Sequence, residues 1–409
     1  MSSITSPRQL SLSPRAPMAA RAAFAVLRRL QVGTLELLLP DGTLAHFGSG
    51  RSSEPRAAMR LNNWRVFSAA LRSGDIGLAE SYIADDWHSP DLVALLALLV
   101  ANREATEAMV YGRWWGSLLH RAKHLLNRNS RRGSRKNIHA HYDLGNAFYR
   151  LWLDKTMTYS AAWFEGDHTR PLVDAQWAKV RRALDECGVQ PGSRVLEIGC
   201  GWGGVAEYAA RHRDAHVTGV TLSQEQLTYA QQRLLSQGLQ HRADLRLQDY
   251  RDVADGPYDA VVSIEMFEAV GRAYWPGFFR TLREQLKPDA KACIQSITIR
   301  DDLFERYVKS TDFIQQYIFP GGLLPSVAAF REQAAAAGLL VCNELRFGAD
   351  YGETLRRWRA SFLARETQVR QLNFDTRFMR TWEFYLACCE AAFDSGNTDV
   401  VQFTLQRVR

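Results

Sequence analysis

No stretch of this chain is long and apolar enough to cross a bilayer: the longest apolar run, 92–101, is about half of the ~20 residues a helical span requires. Contact with a membrane, if part of its work, is therefore expected to be peripheral. The first twenty residues are rich in Ser, Pro and Arg and lack an apolar core, which excludes a secretory signal and reads as a disordered leader over 1–21. Cysteine is scarce and unpatterned. Cys187, Cys200, Cys293, Cys342, Cys388 and Cys389 form no C-x-x-C pair and no ladder of spacings, so neither a zinc site nor a disulfide framework is expected, and reduced thiols in the cytoplasm are the plain reading. No internal repeat and no recognised nucleic-acid-binding module occur. The net charge of +7 still asks for an anionic partner, nucleic acid or a phospholipid surface, and charge alone does not choose.

What is present is ample material for a large core: 409 residues, 46% of them hydrophobic, enough for two or three domains. Residues 22–127 mix short strand-like pieces (34–39, then the turn Asp41-Gly42) with helical stretches, 92–100 among them. The basic segment RNSRRGSRKN, 128–137, reads as a linker, and 138–409 as a second domain. Beyond Gln190 the pattern turns regular. Strands are expected at 194–198, 216–221, 245–248, 258–263 and 292–299, with helices at 203–213, 223–235 and 275–286. That alternation implies an α/β fold with a mostly parallel, Rossmann-like sheet covered on both faces.

The segment VLEIGCGWGG, 195–204, joins the first of these strands to its helix, where glycines let backbone approach a ligand. Gly199, Gly201 and Gly204 fit G-x-G-x-x-G, so a dinucleotide site has to be weighed. Two features argue against it. Glu197 gives the E-x-G-x-G-x-G form typical of class I S-adenosylmethionine (SAM)-dependent methyltransferases, and the second strand ends in Gly219-Val220-Thr221 without an acid for a ribose hydroxyl. Asp249 and Tyr250 could then serve an adenine.

Longer stretches carry a family resemblance. HYDLGN (141–146), TYS (158–160), AEYAARH (206–212), GVTLS (219–223), QDYRD (248–252), MFE (266–268), YIFP (317–320) and FGADY (347–351) resemble cyclopropane-fatty-acyl-phospholipid synthases, the mycolic acid cyclopropane synthase-like group of SAM-dependent enzymes. HYDLGN, YIFP and FGADY are the most family-specific. The resemblance implies transfer of a methylene unit from SAM to the cis double bond of a phospholipid acyl chain. It also implies roles for residues at matching positions. Tyr142, Tyr159 and Ser160 would close over the methionine end of SAM; Gly199 and Gly201 would face its carboxylate and ribose. Thr221, Leu222 and Gln226 would hold the ribose, Asp249 and Tyr250 the adenine. A bicarbonate ion would act as base, held by Glu268, Tyr351 and Gln295 with the backbone at Ile297. Cys389 matches a cysteine once proposed as catalytic, though a small buried hydrophobe is the commoner role of a helical cysteine. A phospholipid bilayer surface on the inner face of the membrane is the implied partner, nucleic acid is not, and a homodimer is the assembly often seen in relatives.

The chemistry explains such a set. An alkene is a weak nucleophile, so the sulfonium methyl must be held close and aligned. The carbocation that follows needs a dry pocket with aromatic faces, for which Phe267, Tyr317 and Phe319 are candidates. A base then takes a proton. Three positions depart from the family's pattern: Ala161 stands for a cysteine, Ala269 for a histidine, and Gln295 for the histidine that contacts bicarbonate. These changes bear on the product, so methylene- or methyl-branched chains are the nearest alternative to a ring. A silent SAM- or lipid-binding protein and a small-molecule N- or O-methyltransferase are the rivals of other classes. The segment 113–126, with Trp114 and Trp115, is either a helix lying on an anionic bilayer or one packed on its own core.

Overall fold

The computed structural model describes residues 16–51, 53–104 and 144–407. Tyr142, the segment 113–126 and the linker 128–137 lie outside the described residues. The chain divides into two compact units, Met1–His120 with Arg380–Phe384, and Arg121–Met379 with Tyr385–Arg409.

In the first unit the strands β1 (Thr34–Leu38), β2 (Leu44–Gly48), β3 (Arg56–Leu61) and β4 (Trp87–His88) form a sheet in the order β2-β1-β3-β4. The Asp41-Gly42 turn joins β1 to its antiparallel neighbour β2, with Gly42 at φ +83° and the Asp41 carboxylate accepting from the Thr43 N–H at 3.0 Å. The apolar run expected as a helix is one, Leu92–Ala101, capped by Asp91 through the Ala94 N–H. Helix Met18–Leu27 begins inside the stretch expected as a leader. Pro17 presets its entry and an alanine-rich run follows, which favours helix over disorder.

The second unit is built on a seven-stranded sheet of β5 (Arg194–Ile198), β6 (His216–Thr221), β7 (Ala243–Leu247), β8 (Tyr258–Ile264), β9 (Leu286–Ile299), β10 (Leu339–Arg346) and β11 (Thr398–Arg407). Their order is β10-β11-β9-β8-β5-β6-β7, with β5 to β9 parallel and β10 and β11 antiparallel to their neighbours. Alternate side chains feed two cores. Leu196, Ile198, Val220 and Val261 join the aromatic cluster around Phe267, Phe279 and Phe330. Val195, Val217 and Val262 pack with Val180, Leu184 and Val205 from the helices Leu172–Glu186 and Gly204–His212. Each such buried aliphatic side chain contributes about 1.5–3 kcal/mol of hydrophobic stabilisation. Burial on both faces fixes the sheet in the middle of the unit. Its functional edge is then set by chain direction: the carboxyl ends of β5, β6, β8 and β9 open on the same side.

Candidate active site

The turn after β5 opens a cleft at that side. The N–H groups of Gly199 and Cys200 donate to the Val220 carbonyl at 2.9 and 3.0 Å, pinning the loop to β6. Gly199 sits at φ +85°, and a Cβ there would lie 2.9 Å from the Met266 side chain; only glycine meets both demands without strain. Gly203, at φ +80°, leads the helix in over Ala230 in the same way. The cleft is lined by nine residues expected at a cofactor site: Tyr159, Ser160, Gly199, Gly201, Thr221, Leu222, Gln226, Asp249 and Tyr250. Thr221 accepts from the Ser223 N–H and faces Gln226, which Ser223 in turn caps. The Asp249 carboxylate caps the turn Tyr250–Asp252 and is paired with the Arg251 guanidinium. Glu197 also lines the cleft. Burial holds its carboxyl well above the usual range, and its Oε2 is buried with no partner.

At the far end, past β8, lies a cluster that motif reading missed. Glu265 receives the donors expected around bicarbonate. Its Oε1 accepts from the Ala161 N–H at 2.9 Å and from Gln295 Nε2 at 2.7 Å, and its Oε2 accepts from the Tyr351 hydroxyl at 2.8 Å. Ile297 does not face an open site either. Its N–H donates to Glu268 Oε1, as does Ser296 Oγ at 3.1 Å. Glu268 Oε2 is buried without a partner, and burial beside Glu265 pushes that carboxyl up to about 8. The four residues expected to surround an external anion thus bond to, or are themselves, the chain's own carboxylates.

Lys179 was missed as well. It is wholly buried on the helix Leu172–Glu186, lines the cleft, and its Nζ donates to Ser160 Oγ and to the Ala161 carbonyl. Burial lowers its ammonium to about 7, opposed by the charge of Glu265. The sequence held a signal: helical spacing puts Gln176, Lys179 and Ala183 on the apolar face, where an unneutralised lysine is costly. Glu265 had one too, as an acid at the carboxyl end of a central parallel strand.

The remaining expectations divide. Tyr159 bonds the Tyr385 hydroxyl at 2.7 Å, and Phe319 lies 6.5 Å from the Tyr159 ring and 6.0 Å from that of Tyr385, an aromatic wall. Phe267 is not part of it. It opens the short turn Phe267–Ala269 beyond β8 and is fully buried in the core, with Trp275, Phe278, Phe279 and Phe330 around it at 5.0–5.3 Å. Tyr317 is 43% exposed. Burial holds the Cys389 thiol well above its ordinary value, the opposite of what an activated nucleophile needs.

Sheet order, glycine turn and cleft define a class I SAM-dependent methyltransferase. The comparisons narrow this. The profile of the family described as mycolic acid cyclopropane synthetase matches residues 129–403, and the chain belongs to that family of SAM-dependent enzymes that transfer methyl and cyclopropane carbons to lipids. It is 40% identical to the tuberculostearic acid methyltransferase UfaA1 of Mycobacterium tuberculosis, over 96% of this chain and 93% of that one. It is 34% identical to the cyclopropane-fatty-acyl-phospholipid synthase of Escherichia coli, over 89% and 91%. The mycolic acid cyclopropane synthase CmaA1, solved with SAH and CTAB, superposes with a TM-score of 0.63 at 35% identity, covering 67% of this chain and 98% of that one. Among the described residues no helix is long and apolar enough to cross a membrane.

Proposed function

We propose that the protein methylates a double-bond carbon of a lipid acyl chain with SAM, and that the resulting carbocation loses a proton inside the cleft. The observation that carries this is the buried carboxylate of Glu265, which lines the glycine-loop cleft together with Tyr159 of the aromatic wall and has the buried Glu268 close by.

The cleft fits SAM: the backbone is open at Gly201, and the unpartnered Glu197 oxygen offers an acceptor for a cationic amino group. When bound there, SAM supplies an electrophilic sulfonium methyl. Tyr159, held by Tyr385, and Phe319 present ring faces that stabilise a cation and exclude water. The alkene pair forms the new bond to the methyl carbon, leaving the neighbouring carbon cationic. A carboxylate then removes a proton from the new methyl. If the freed pair closes onto the cation, a cyclopropane results. If a hydride first shifts between the two carbons, the pair forms an exocyclic methylene. The same base serves both.

Similarity to the tuberculostearic acid methyltransferase, over nearly the whole chain, favours a branched product over a ring, and of the methylene- and methyl-branched forms the methylene is the one that needs no reductant. The ring is the second reading, favoured by the family profile and the E. coli synthase. Hydrogen bonds from the Ala161 N–H and Gln295 speak against a silent binder, since both departures from the family's pattern still bind a carboxylate. Presentation of the substrate at an anionic bilayer surface is part of the proposal and is supported by the net charge of +7. The test is incubation of the protein with SAM and vesicles of mono-unsaturated phospholipid, then mass spectrometry and proton NMR of the released acyl esters. Gain of one CH₂ with exocyclic vinyl protons is expected, upfield ring protons would establish the second reading, and unchanged chains would refute both.

A further inference from the structure

Glu265 is placed at some cost. It is a non-glycine residue at φ +51°, a conformation that strains an L side chain. Its carboxylate is also taken out of water, which pushes its pKa up against the pull of Lys179 and three hydrogen bonds. A strained, desolvated carboxylate persists only when its surroundings over-determine it, and here they do. The donors come from segments far apart in the chain: Ala161, Gln295 and Tyr351, with the Lys179 ammonium adding its field. The amide of Gln295 is itself oriented. Arg182 donates to Gln402 Oε1 at 2.8 Å, Gln402 Nε2 donates to Gln295 Oε1 at 3.0 Å, and Gln295 is left with its N–H₂ toward Glu265. A charged donor at the start of the relay fixes the sense of each amide down the line.

We infer that the Glu265 carboxylate occupies the place that family resemblance gives to a bicarbonate ion and is itself the base, so that turnover needs no external anion. The inference rests on the C-methylation reading above. In the step, a C–H bond of the new methyl breaks and its electron pair stays on carbon to close the ring or form the methylene. The proton goes to a Glu265 oxygen and leaves to solvent between turnovers. Glu265 Oε2, which accepts one hydrogen bond against two on Oε1, has the freer lone pair for it. The donors that fit a planar bicarbonate fit a planar carboxylate equally, and one site cannot hold both anions side by side in a dry cleft.

The experiment compares wild type, Glu265→Gly and Glu265→Gln in buffer stripped of carbon dioxide and in buffer with added bicarbonate. Acyl products are counted, with melting temperature and SAH affinity measured for each protein. Wild-type turnover is expected to change by less than about twofold between the buffers. Glu265→Gly, which relieves the backbone and empties the anion site, is expected to fall by about 10²-fold or more and to regain much of that with bicarbonate. Glu265→Gln keeps the site filled and is expected to stay inactive in both. A purely structural role would not produce rescue by an anion. Wild-type activity that collapses without bicarbonate and returns with it overturns this inference alone, as does a fully active Glu265→Gly in stripped buffer. Should a variant fail to fold, the wild-type comparison decides by itself. A wild type that leaves lipid chains unmodified in both buffers overturns the C-methylation reading and this inference with it.

Discussion

Glu268 and Glu265 are three residues apart, yet their surroundings set them different tasks. Glu268 accepts from Ser296 and Ile297 on one oxygen and has the other buried bare, which is the condition of a carboxyl held protonated at neutral pH. Its pKa is raised in the folded state from an ordinary 4.5 to about 8. A group raised in this way contributes stability that is fully present below 4.5 and is lost as pH climbs through about 8, since the unfolded chain has already released the proton. Glu268→Gln removes that titration. The melting temperature of the variant relative to wild type is therefore expected to rise steadily from pH 5 to pH 8 and then level off, as followed by calorimetry across that range. A gap independent of pH would contradict the burial assigned to this carboxyl. Lys179 titrates with the opposite sign, its lowered pKa making stability rise with pH above about 7. Glu197 and Glu265 are raised too but titrate in both proteins, so the difference between variant and wild type from pH 5 to 7 isolates Glu268.

Among elements, the turn between β5 and its helix does the most with the fewest residues. Gly199→Val places a β-branched side chain at φ +85° and against Met266, in the strand-end position where backbone must meet ligand. Loss of SAH affinity by more than about tenfold is expected, read by titration calorimetry. Unchanged affinity would remove the loop from the cofactor site. This turn and the strands around it were legible from sequence because their signals are local: an apolar run, a glycine cluster, then a helical period. β6 begins and ends where read, and β5 does too. β9 is longer than expected, running from Leu286, since polar Lys287, Asp289 and Lys291 hid its first half. The antiparallel pair β10 and β11 was not read at all. Neither is followed by the βα pattern that revealed the others, and pairing direction is decided by contacts far along the chain.

At the scale of the whole molecule the same division between local and distant information explains what the site concealed. The glycine-loop side of the cleft was legible, because Gly199 and Gly201 follow β5, Thr221 and Leu222 close β6, and Asp249 and Tyr250 follow β7. The carboxylate half was not. The donors to Glu265 arrive from a loop at Ala161, from β9 and from the helix Gly348–Ala364, and no spacing in one segment announces their meeting. Reading Glu268, Tyr351, Gln295 and Ile297 as one shell missed Glu265, to which Gln295 and Tyr351 both donate. The central claim concerns the fate of the transferred carbon, and SAM labelled with a fully deuterated methyl tests it most directly. With vesicles of mono-unsaturated phospholipid, the product chain is expected to carry two of the three deuterons, because the base removes the third from the new methyl whether a ring or a methylene forms. A product that keeps all three deuterons on an intact methyl attached to nitrogen or oxygen would contradict the account.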